Sequence, residues 1–412
     1  MTRKILLLIA CALLLATGIS AQSLRICQGA MTVGVPAASA DTMRYSDGGA
    51  TLTVMGRSYD VSSIESIVYS TDDVLPQTVY VTYEGTSAKV FASGDVAPYL
   101  TVDVSGADVS ITASDDLAEE ITYVLSGNSS DGSFLHTGSL KSTIELAGLT
   151  LTNTRGAAID IENGKRIAVL VDEGTTNTLA DGSGGTQKAC FFIKGHAEFQ
   201  GGGTLNITGN AKHAFASNEY TELKSSFGTL NILGAASDGL HIEQYYEQKG
   251  GTVSIKGCTG DGIDCSVTND ATDELNGQLL LSGGTVTVDL GTAEDVKGIK
   301  CDSVMTISGG TVTITGSGNG VKGIKAGTNL LINQCSGNTT SVSITVTGTT
   351  YHKDQADESK TRGMKVGGDF TFDGGTITIS ATGSKAKAVS VDGTYYYRSG
   401  SINCSVDATN VG

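Results

Sequence analysis

Basic side chains recur at two positions of a phrase that repeats in the second half of the chain, as in Lys297-Gly298-Ile299-Lys300. Aligning the copies by their glycine (alanine in the last copy) gives two columns. The first column contains Lys297, Lys322, Arg362 and Lys387, and the second contains Lys300, Lys325 and Lys365. Because lysine and arginine form charge-assisted hydrogen bonds with carboxylates, the columns predict a groove for a polyanion such as an acidic polysaccharide.

A solvated basic face is the alternative interpretation of these columns. Cations about 5 Å apart on neighbouring strands repel each other by only about 0.8 kcal/mol in water. Nearby acids such as Glu294 and Asp295 would offset part of that repulsion.

Three aspartates, Asp238, Asp261 and Asp264, belong to the copies that precede the basic columns. Their carboxylates could supply oxygen ligands to calcium, a hard ion that takes six to eight of them. Turn aspartates also form local hydrogen bonds without any metal, so both interpretations stay open. His213 and His241 occupy equivalent turns of successive copies, where a histidine pair can bind a metal, transfer protons or simply be satisfied by the turn.

Aromatic side chains that could pack on sugar rings occur in two clusters, Tyr245-Tyr246 and Tyr395-Tyr396-Tyr397, and the chain has no tryptophan. Tyr245 and Tyr246 are the candidate ligand-binding pair. Because successive residues of a strand point to opposite faces, we expect part of each cluster to lie in the core.

The elements that must position these residues are short strands in a repeat. Gly-Thr followed by alternating apolar residues recurs at Thr204, Thr229, Thr252, Thr285, Thr311 and Thr376. The underlying period is about 23–33 residues. A second strand-like phrase, such as Gly298-Ile299-Lys300, follows the first at a nearly fixed offset, and several copies add a third apolar phrase such as Met305-Thr306-Ile307. Short alternating strands with glycine at the bends, in a fixed order, predict the rungs of a parallel β-helix.

The cysteines fit the same stacking. Cys265 and Cys301 fall at the inward position that Ala326 and Val366 take in later copies, and Cys404 falls at the position of Ile379. Cysteine behaves as a small buried hydrophobe, which predicts an apolar ladder. A disulfide between Cys265 and Cys301 is the alternative, since neighbouring rungs lie about 4.8 Å apart.

Composition and the N-terminus restrict the function classes. The chain has 412 residues with 55 glycines, 3 prolines and a net charge of −16, which disfavours collagen, a helical bundle and a nucleic-acid binder that acts through bulk charge. Residues 1–21 read as a secretory signal, with Arg3 and Lys4 before a short apolar run, and a lipid anchor at Cys11 is the alternative. We therefore expect export to the periplasm, cell surface or medium, with a β-rich segment at 22–95 and the β-helix at 96–412.

Residues 156–161, 174–182 and 203–210, followed by Lys212-His213 and Ser237-Asp238-Gly239, resemble the signature of a secreted family of carbohydrate-binding proteins with a pectate-lyase-like β-helix. The resemblance runs from about residue 100 to the C-terminus. It implies a right-handed parallel β-helix, binding of plant-type polysaccharides including acidic ones, and calcium bound by aspartate side chains. Lysine or arginine before the glycine of later copies departs from the family's Asp-Gly pattern.

These observations predict an exported, monomeric and non-catalytic protein that binds an acidic polysaccharide along the outer face of its rungs. Many weak contacts on a repeating surface would suit a repeating polymer. A calcium-dependent polysaccharide lyase is the first alternative, and it would release unsaturated uronide products. A structural surface protein or adhesin is the second, and it would bind no glycan.

Overall fold

The computed structural model describes residues 22–40, 43–54, 56–354 and 357–407, and within them strands dominate. The expected signal peptide at 1–21, with Cys11, lies outside the described residues. No helix in the described part of the chain is long and apolar enough to cross a membrane. The prediction of an all-β chain is confirmed.

The strands are numbered in chain order. The first ten are β1 (Ser23–Gln28), β2 (Met31–Pro36), β3 (Arg44–Ser46), β4 (Thr51–Val54), β5 (Arg57–Asp60), β6 (Ser66–Ser70), β7 (Thr78–Glu84), β8 (Ser87–Ser93), β9 (Leu100–Ser105) and β10 (Asp108–Ala113). Short 3-10 helices lie at Ala37–Ser39, Asp47–Gly49, Val61–Ser63 and Ala97–Tyr99.

The next strands are β11 (Ile121–Ser129), β12 (Ser133–Thr137), β13 (Ser142–Asn153), β14 (Ile159–Glu162), β15 (Ile167–Val171), β16 (Thr176–Asp181), β17 (Ala189–Ile193), β18 (Ala197–Gln200), β19 (Thr204–Gly209), β20 (His213–Ser217), β21 (Thr221–Leu223), β22 (Thr229–Ala235), β23 (Leu240–Glu243), β24 (Tyr245–Gln248) and β25 (Thr252–Lys256). The remaining strands are β26 (Ile263–Ser266), β27 (Gln278–Leu281), β28 (Thr285–Asp289), β29 (Lys297–Cys301), β30 (Met305–Ile307), β31 (Gly310–Gly316), β32 (Lys322–Ala326), β33 (Leu330–Asn333), β34 (Thr340–Thr347), β35 (Tyr351–His352), β36 (Glu358–Ser359), β37 (Arg362–Val366), β38 (Phe370–Thr382), β39 (Lys387–Val391) and β40 (Tyr395–Val406).

Parallel pairing arranges these strands in three stacks. The first stack runs β12, β14, β17, β20, β23, β26, β29, β32, β37, β39 within a 12-stranded sheet. The second runs β15, β18, β21, β24, β27, β30, β33, and the third runs β16, β19, β22, β25, β28, β31, β34; β13 and β38 are long enough to join both in a 23-stranded sheet. One strand from each stack makes a rung, and the three predicted phrases supply the three strands.

Inward side chains form ladders between the stacks. Ile299, Ile324 and Met364 are paired in successive strands of the first stack and are fully buried, as the alternation predicts. Opposite them, Ile314 and Ile344 are paired in the third stack and are equally buried. Burial of aliphatic side chains at about 25 cal/mol per Å² stabilises every rung on its neighbours.

The recurring glycine of the Gly-Ile-Lys phrase is required by a close approach between stacks. A Cβ on Gly323 would lie 2.4 Å from Ile344 Cγ2 and 2.6 Å from the carbonyl oxygen of Gly363 in the next rung. Gly298 and Gly363 are confined in the same way. Ala388 takes this position in β39, the edge strand of the sheet, so no following strand crowds its methyl group.

The segment at 22–95 is β-rich, as expected, but it is continuous with the large sheet. β7 pairs in parallel with β11, while β7 and β8 form an antiparallel hairpin and β1 pairs antiparallel with both β2 and β6. A separate antiparallel unit contains β3, β4 and β5. The first parallel strands are therefore covered by antiparallel ones.

The described cysteines all have free thiols. Cys265 pairs with Cys301 in register, and Cys301 with Ala326, so the inward ladder has the predicted order. Both thiols are fully buried. Cys404 pairs with Ile379, as predicted, but it is exposed because β40 is an edge strand.

Candidate functional site

Strand pairing aligns the basic residues in two columns on the first stack. Each column also continues into earlier rungs, where its residues are aspartate and histidine. We name these two columns together the charged strip. Strand register aligns His241, Asp264, Lys300, Lys325 and Lys365 in one column. Three residues earlier in each copy, the other column contains His213, Asp238, Asp261, Lys297, Lys322, Arg362 and Lys387. The strip therefore changes from histidine and aspartate to lysine and arginine along its length.

In the column that starts at His213, the basic side chains are largely committed to local partners. Lys297 Nζ donates to the Asp295 carbonyl at 2.6 Å, and Lys322 Nζ donates to Ser359 Oγ at 2.6 Å, while Asp295 Oδ1 lies 3.6 to 3.7 Å from both amines. Arg362 donates to the carbonyls of Thr361 and Lys385. Asp295 thus offsets the basic column, as the solvated-face alternative anticipates.

In the other column, two of the three lysines form ion pairs. Lys300 Nζ bonds Asp264 Oδ1 at 2.7 Å, and Lys365 bonds the exposed Asp392. Lys325 is half-buried and, like the exposed Lys387 of the neighbouring column, has no ion pair among the described residues. These two lysines are the cations of the strip best placed to meet an anionic ligand.

Replacing Lys325 and Lys387 by alanine together should weaken binding of an acidic polysaccharide about fivefold at low salt, because two solvent-accessible ionic contacts are lost. The difference should shrink as salt is added, since exposed charges are screened. Affinity electrophoresis at two salt concentrations measures both effects. Unchanged mobility in the acidic gel would assign the lysines of the strip to a solvated face.

The histidine and aspartate half of the strip is tightly connected. Asp238 Oδ2 lies 3.1 Å from His213 Nδ1 and 3.2 Å from His241 Nδ1, and Asp264 Oδ2 lies 3.4 Å from His241 Nδ1. The two imidazole rings stack with centroids 4.3 Å apart. The backbone N–H of Asp261 donates to Asp238 Oδ1 at 2.7 Å.

These contacts, together with burial, shift the pKa values of three side chains in the strip. Burial would lower the pKa of His241, but its hydrogen bonds to Asp238 and Asp264 raise that pKa to about 9. Burial raises the pKa of Asp261 to about 6, although Lys297 opposes the change. Burial, reinforced by repulsion from Lys297, lowers the pKa of Lys322 to about 8. Perturbed groups clustered on one surface are typical of functional sites.

The aspartates suit calcium poorly. One oxygen of each is already an acceptor: Asp238 Oδ1 accepts from the N–H of Asp261, Asp261 Oδ1 from the N–H of Lys297, and Asp264 Oδ1 from Lys300. Calcium needs six to eight oxygens, and imidazole nitrogens face the remaining oxygens of Asp238 and Asp264. Calcium binding by Asp238, Asp261 and Asp264 stays a prediction that this donor set does not favour.

The tyrosine pair divides between the two faces of β24. Tyr246 is fully buried and bonds Gln248 Oε1 at 2.9 Å, so it is a core residue and cannot bind a surface ligand, contrary to the sequence prediction. Register explains the difference, since Tyr246 pairs with the inward Thr221 and Leu279. Tyr245 points outward. Tyr395, Tyr396 and Tyr397 are all exposed, because β40 is an edge strand.

Tyr245 belongs to a ladder of rings on the outer face of the second stack. Its ring stacks on Tyr220 with centroids 4.8 Å apart and planes 14° apart, and Tyr220 stacks on His196 with centroids 4.4 Å apart. Each ring lies at or next to the start of its strand, so the rung spacing brings the rings together. The hydroxyl of Tyr220 donates to Glu198 Oε1 at 2.9 Å.

An open cleft of about 350 Å³ lies at the His196 end of this ladder. We name it the aromatic cleft; its lining residues are Lys141, Lys165, Arg166, His196, Glu198 and Tyr220. Arg166 pairs with Glu120 at 2.6 Å, whereas Lys141 and Lys165 are exposed and have no ion pair among the described residues. The cleft thus combines flat rings, two available ammonium groups and a carboxylate.

Sequence reasoning missed this cleft. The sequence feature that marks the cleft is the residue immediately before a strand. Lys141 precedes β13, Arg166 precedes β15, His196 precedes β18 and Tyr220 precedes β21. These residues follow loops of different lengths, so the alignment becomes visible only when the strands are paired.

Known proteins resemble this chain in sequence and in fold. A family model described as "Carbohydrate-binding domain-containing protein" matches residues 105–408. A solved structure of a polysaccharide lyase-like protein from C. thermocellum, a gadolinium derivative, is similar in fold, with a TM-score of 0.51 and 19% identity over 64% of this chain and 99% of that one. No curated protein sequence matches the chain.

Proposed function

Since the chain belongs to the family of carbohydrate-binding domain-containing proteins, we propose that it is an exported, monomeric and non-catalytic protein that binds an acidic polysaccharide. The three strand stacks would wind as a right-handed parallel β-helix, and the polymer would lie along its outer face. The observation that carries the proposal is the aromatic cleft, where a ring ladder meets two lysines that form no ion pair with any described residue.

The two components of the cleft match the two components of a uronic acid. A pyranose ring has an apolar C–H face, which would pack on the face of His196 that is turned away from Tyr220. Tyr220 is itself stacked between His196 and Tyr245, and it holds the ladder in place. The carboxylate of the uronic acid accepts charge-assisted hydrogen bonds from ammonium groups such as those of Lys141 and Lys165. Glu198 is held by Tyr220 and by Lys224 at 3.2 Å, so its charge is partly neutralised.

Repetition supports a polymer rather than a single sugar. Tyr245 extends the ring ladder by one rung beyond the cleft. The lysines of the charged strip supply a second cationic surface on the first stack. Several weak contacts along a chain give a higher apparent affinity than any one of them.

The test is affinity electrophoresis of the mature chain through gels that contain acidic or neutral polysaccharide, each with calcium and with chelator. We expect retardation in the acidic gel. Replacing Lys141 and Lys165 together by alanine should weaken the apparent affinity about tenfold, because two charge-assisted hydrogen bonds are lost.

The matched control removes the same charge elsewhere. Replacing Lys89 and Lys256, which are exposed and outside the cleft and the strip, by alanine should leave the retardation unchanged. Equal losses in both double variants would indicate bulk electrostatics. Absence of retardation of the unaltered protein in every gel would overturn the proposal and favour a structural or adhesive role.

A polysaccharide lyase is the second candidate, and the pKa of Lys322 favours it. A half-buried amine whose pKa is lowered to about 8 can accept a proton near neutral pH. Incubation with an acidic polysaccharide, followed by assay for unsaturated uronide, distinguishes the two functions. Product formation that is lost in Lys322→Met would establish the lyase.

A further inference from the structure

Four side chains of the charged strip converge at its histidine end. His213 Nδ1, His241 Nδ1 and an oxygen of Asp238 lie within 4.8 Å of one another. Asp264 Oδ2 lies 3.4 Å from His241 Nδ1. The four residues come from three successive rungs, and the strand ladder fixes their backbones.

The separations match those of ligands around one tetrahedral ion. Donors that bind zinc at about 2.0–2.1 Å in a tetrahedron are about 3.3 Å apart. The contacts of 3.1, 3.2 and 3.4 Å between nitrogen and carboxylate oxygen are of this size. They differ from the shell of calcium, which has six to eight oxygens at larger distances and contains no nitrogen.

The second oxygens of both carboxylates are held in place. Asp238 Oδ1 accepts from the N–H of Asp261 at 2.7 Å, and Asp264 Oδ1 accepts from Lys300 at 2.7 Å. Each carboxylate is thereby oriented with Oδ2 toward the imidazoles. Such hydrogen bonds to the ligands are typical of metal sites, where they fix ligand geometry.

Burial and charge also suit a cation. The His213 side chain is 3% exposed and that of Asp238 13%, while that of His241 is 22% exposed and leaves the cluster open to solvent on one side. Two carboxylates share this partly buried space with two imidazoles, and Lys300 contacts only Asp264 within it. A divalent ion would take the place of the proton that His241 holds beside Asp238, the central acceptor of the cluster.

We propose that this cluster is a binding site for a divalent transition-metal ion, with zinc as the reference ion. The ligands are His213 Nδ1, His241 Nδ1 and Asp238 Oδ2, and Asp264 Oδ2 lies beside the fourth position. His213 Nδ1 accepts from the backbone N–H of Asp238 at 3.2 Å, and it would exchange this hydrogen bond for the ion. Mixed imidazole and carboxylate donors suit zinc and its neighbours in the first transition row. The site is independent of glycan binding in the aromatic cleft.

Calorimetric titration of the chelator-treated mature protein with zinc chloride tests the site. We expect one saturable site, weakened at least about 100-fold in His241→Gln, since losing a ligand costs more than losing a residue that only hydrogen-bonds to a ligand. Asp238→Asn should give the same loss. His352→Gln, which changes an exposed histidine paired with Glu358, is the matched control and should bind as the unaltered protein does.

Cobalt gives a readout of geometry. The cobalt-loaded protein should show the visible absorption of tetrahedral coordination, and His241→Gln should lose it while keeping the far-ultraviolet circular dichroism of the folded chain. Millimolar calcium should not displace the cobalt. The proposal is overturned by absence of saturable zinc binding, by equal binding in His241→Gln, or by displacement with calcium.

Discussion

Alanine in place of Gly323 should lower the free energy of unfolding by about 2 to 3 kcal/mol. The added methyl group would meet Ile344 Cγ2 and the carbonyl oxygen of Gly363 at less than 2.7 Å. Neither can move easily, because Ile344 is packed in a buried ladder and the carbonyl belongs to the next strand. The midpoint of urea unfolding, followed by circular dichroism, measures the change.

Gly164 provides the matched control for this substitution. It lies in an exposed turn, and a Cβ there would have no neighbour within 4 Å. Gly164→Ala should therefore leave the midpoint unchanged or raise it slightly, because alanine restricts the unfolded chain. Equal midpoints for the two variants would contradict the close approach of the stacks at Gly323.

A loss of stability at mildly acidic pH should be traceable to His136. Burial lowers its pKa to about 4, although the contact between Nδ1 and the Ile111 carbonyl, 3.2 Å apart, opposes the change. The unfolded state, with an ordinary pKa near 6.5, binds the proton first as pH falls. His136 therefore costs no stability above about pH 6.5, and its cost grows to about 3 kcal/mol as pH falls to 4.

The measurement compares unfolding free energy against pH for the unaltered protein and His136→Gln, in which the side chain keeps a hydrogen-bond donor but carries no charge. The variant should lose less stability between pH 6.5 and 4, whatever its absolute stability. The exposed His352, changed to glutamine in the same way, should not flatten the curve. Parallel curves for the unaltered protein and His136→Gln would refute the assignment.

The strand pattern of the second half could be predicted because every rung repeats it. Alternation identified Ile299 and Ile324 as inward and Lys300 and Lys325 as outward, and the pairing of β29 with β32 confirms both. The glycine that precedes each of these isoleucines recurs because the space beside it is too narrow for a side chain. Local sequence and long-range packing impose the same requirement at these positions.

Prediction was weaker wherever loops intervene. Tyr245 and Tyr246 are adjacent in sequence, and only the pairing of β24 with β21 shows that Tyr246 is the inward one. The aromatic cleft joins Lys141 to Tyr220 across loops of unequal length, so no fixed spacing marks it. Likewise, the aspartates and lysines were interpreted as separate sites, whereas Asp264 and Lys300 are neighbours in one column.

The reversal of charge along the strip gives this surface a direction. The basic part spans the rungs from Lys297 to Lys387, three steps of about 4.8 Å, or about 15 Å. Beyond Lys297 the columns contain Asp261, Asp238 and Asp264 in place of lysines, so a carboxylate-bearing chain finds no further ammonium group there. A polyanion on the strip therefore contacts only the basic part, which ends at Lys297. A longer polymer must leave the surface there or cross to another face.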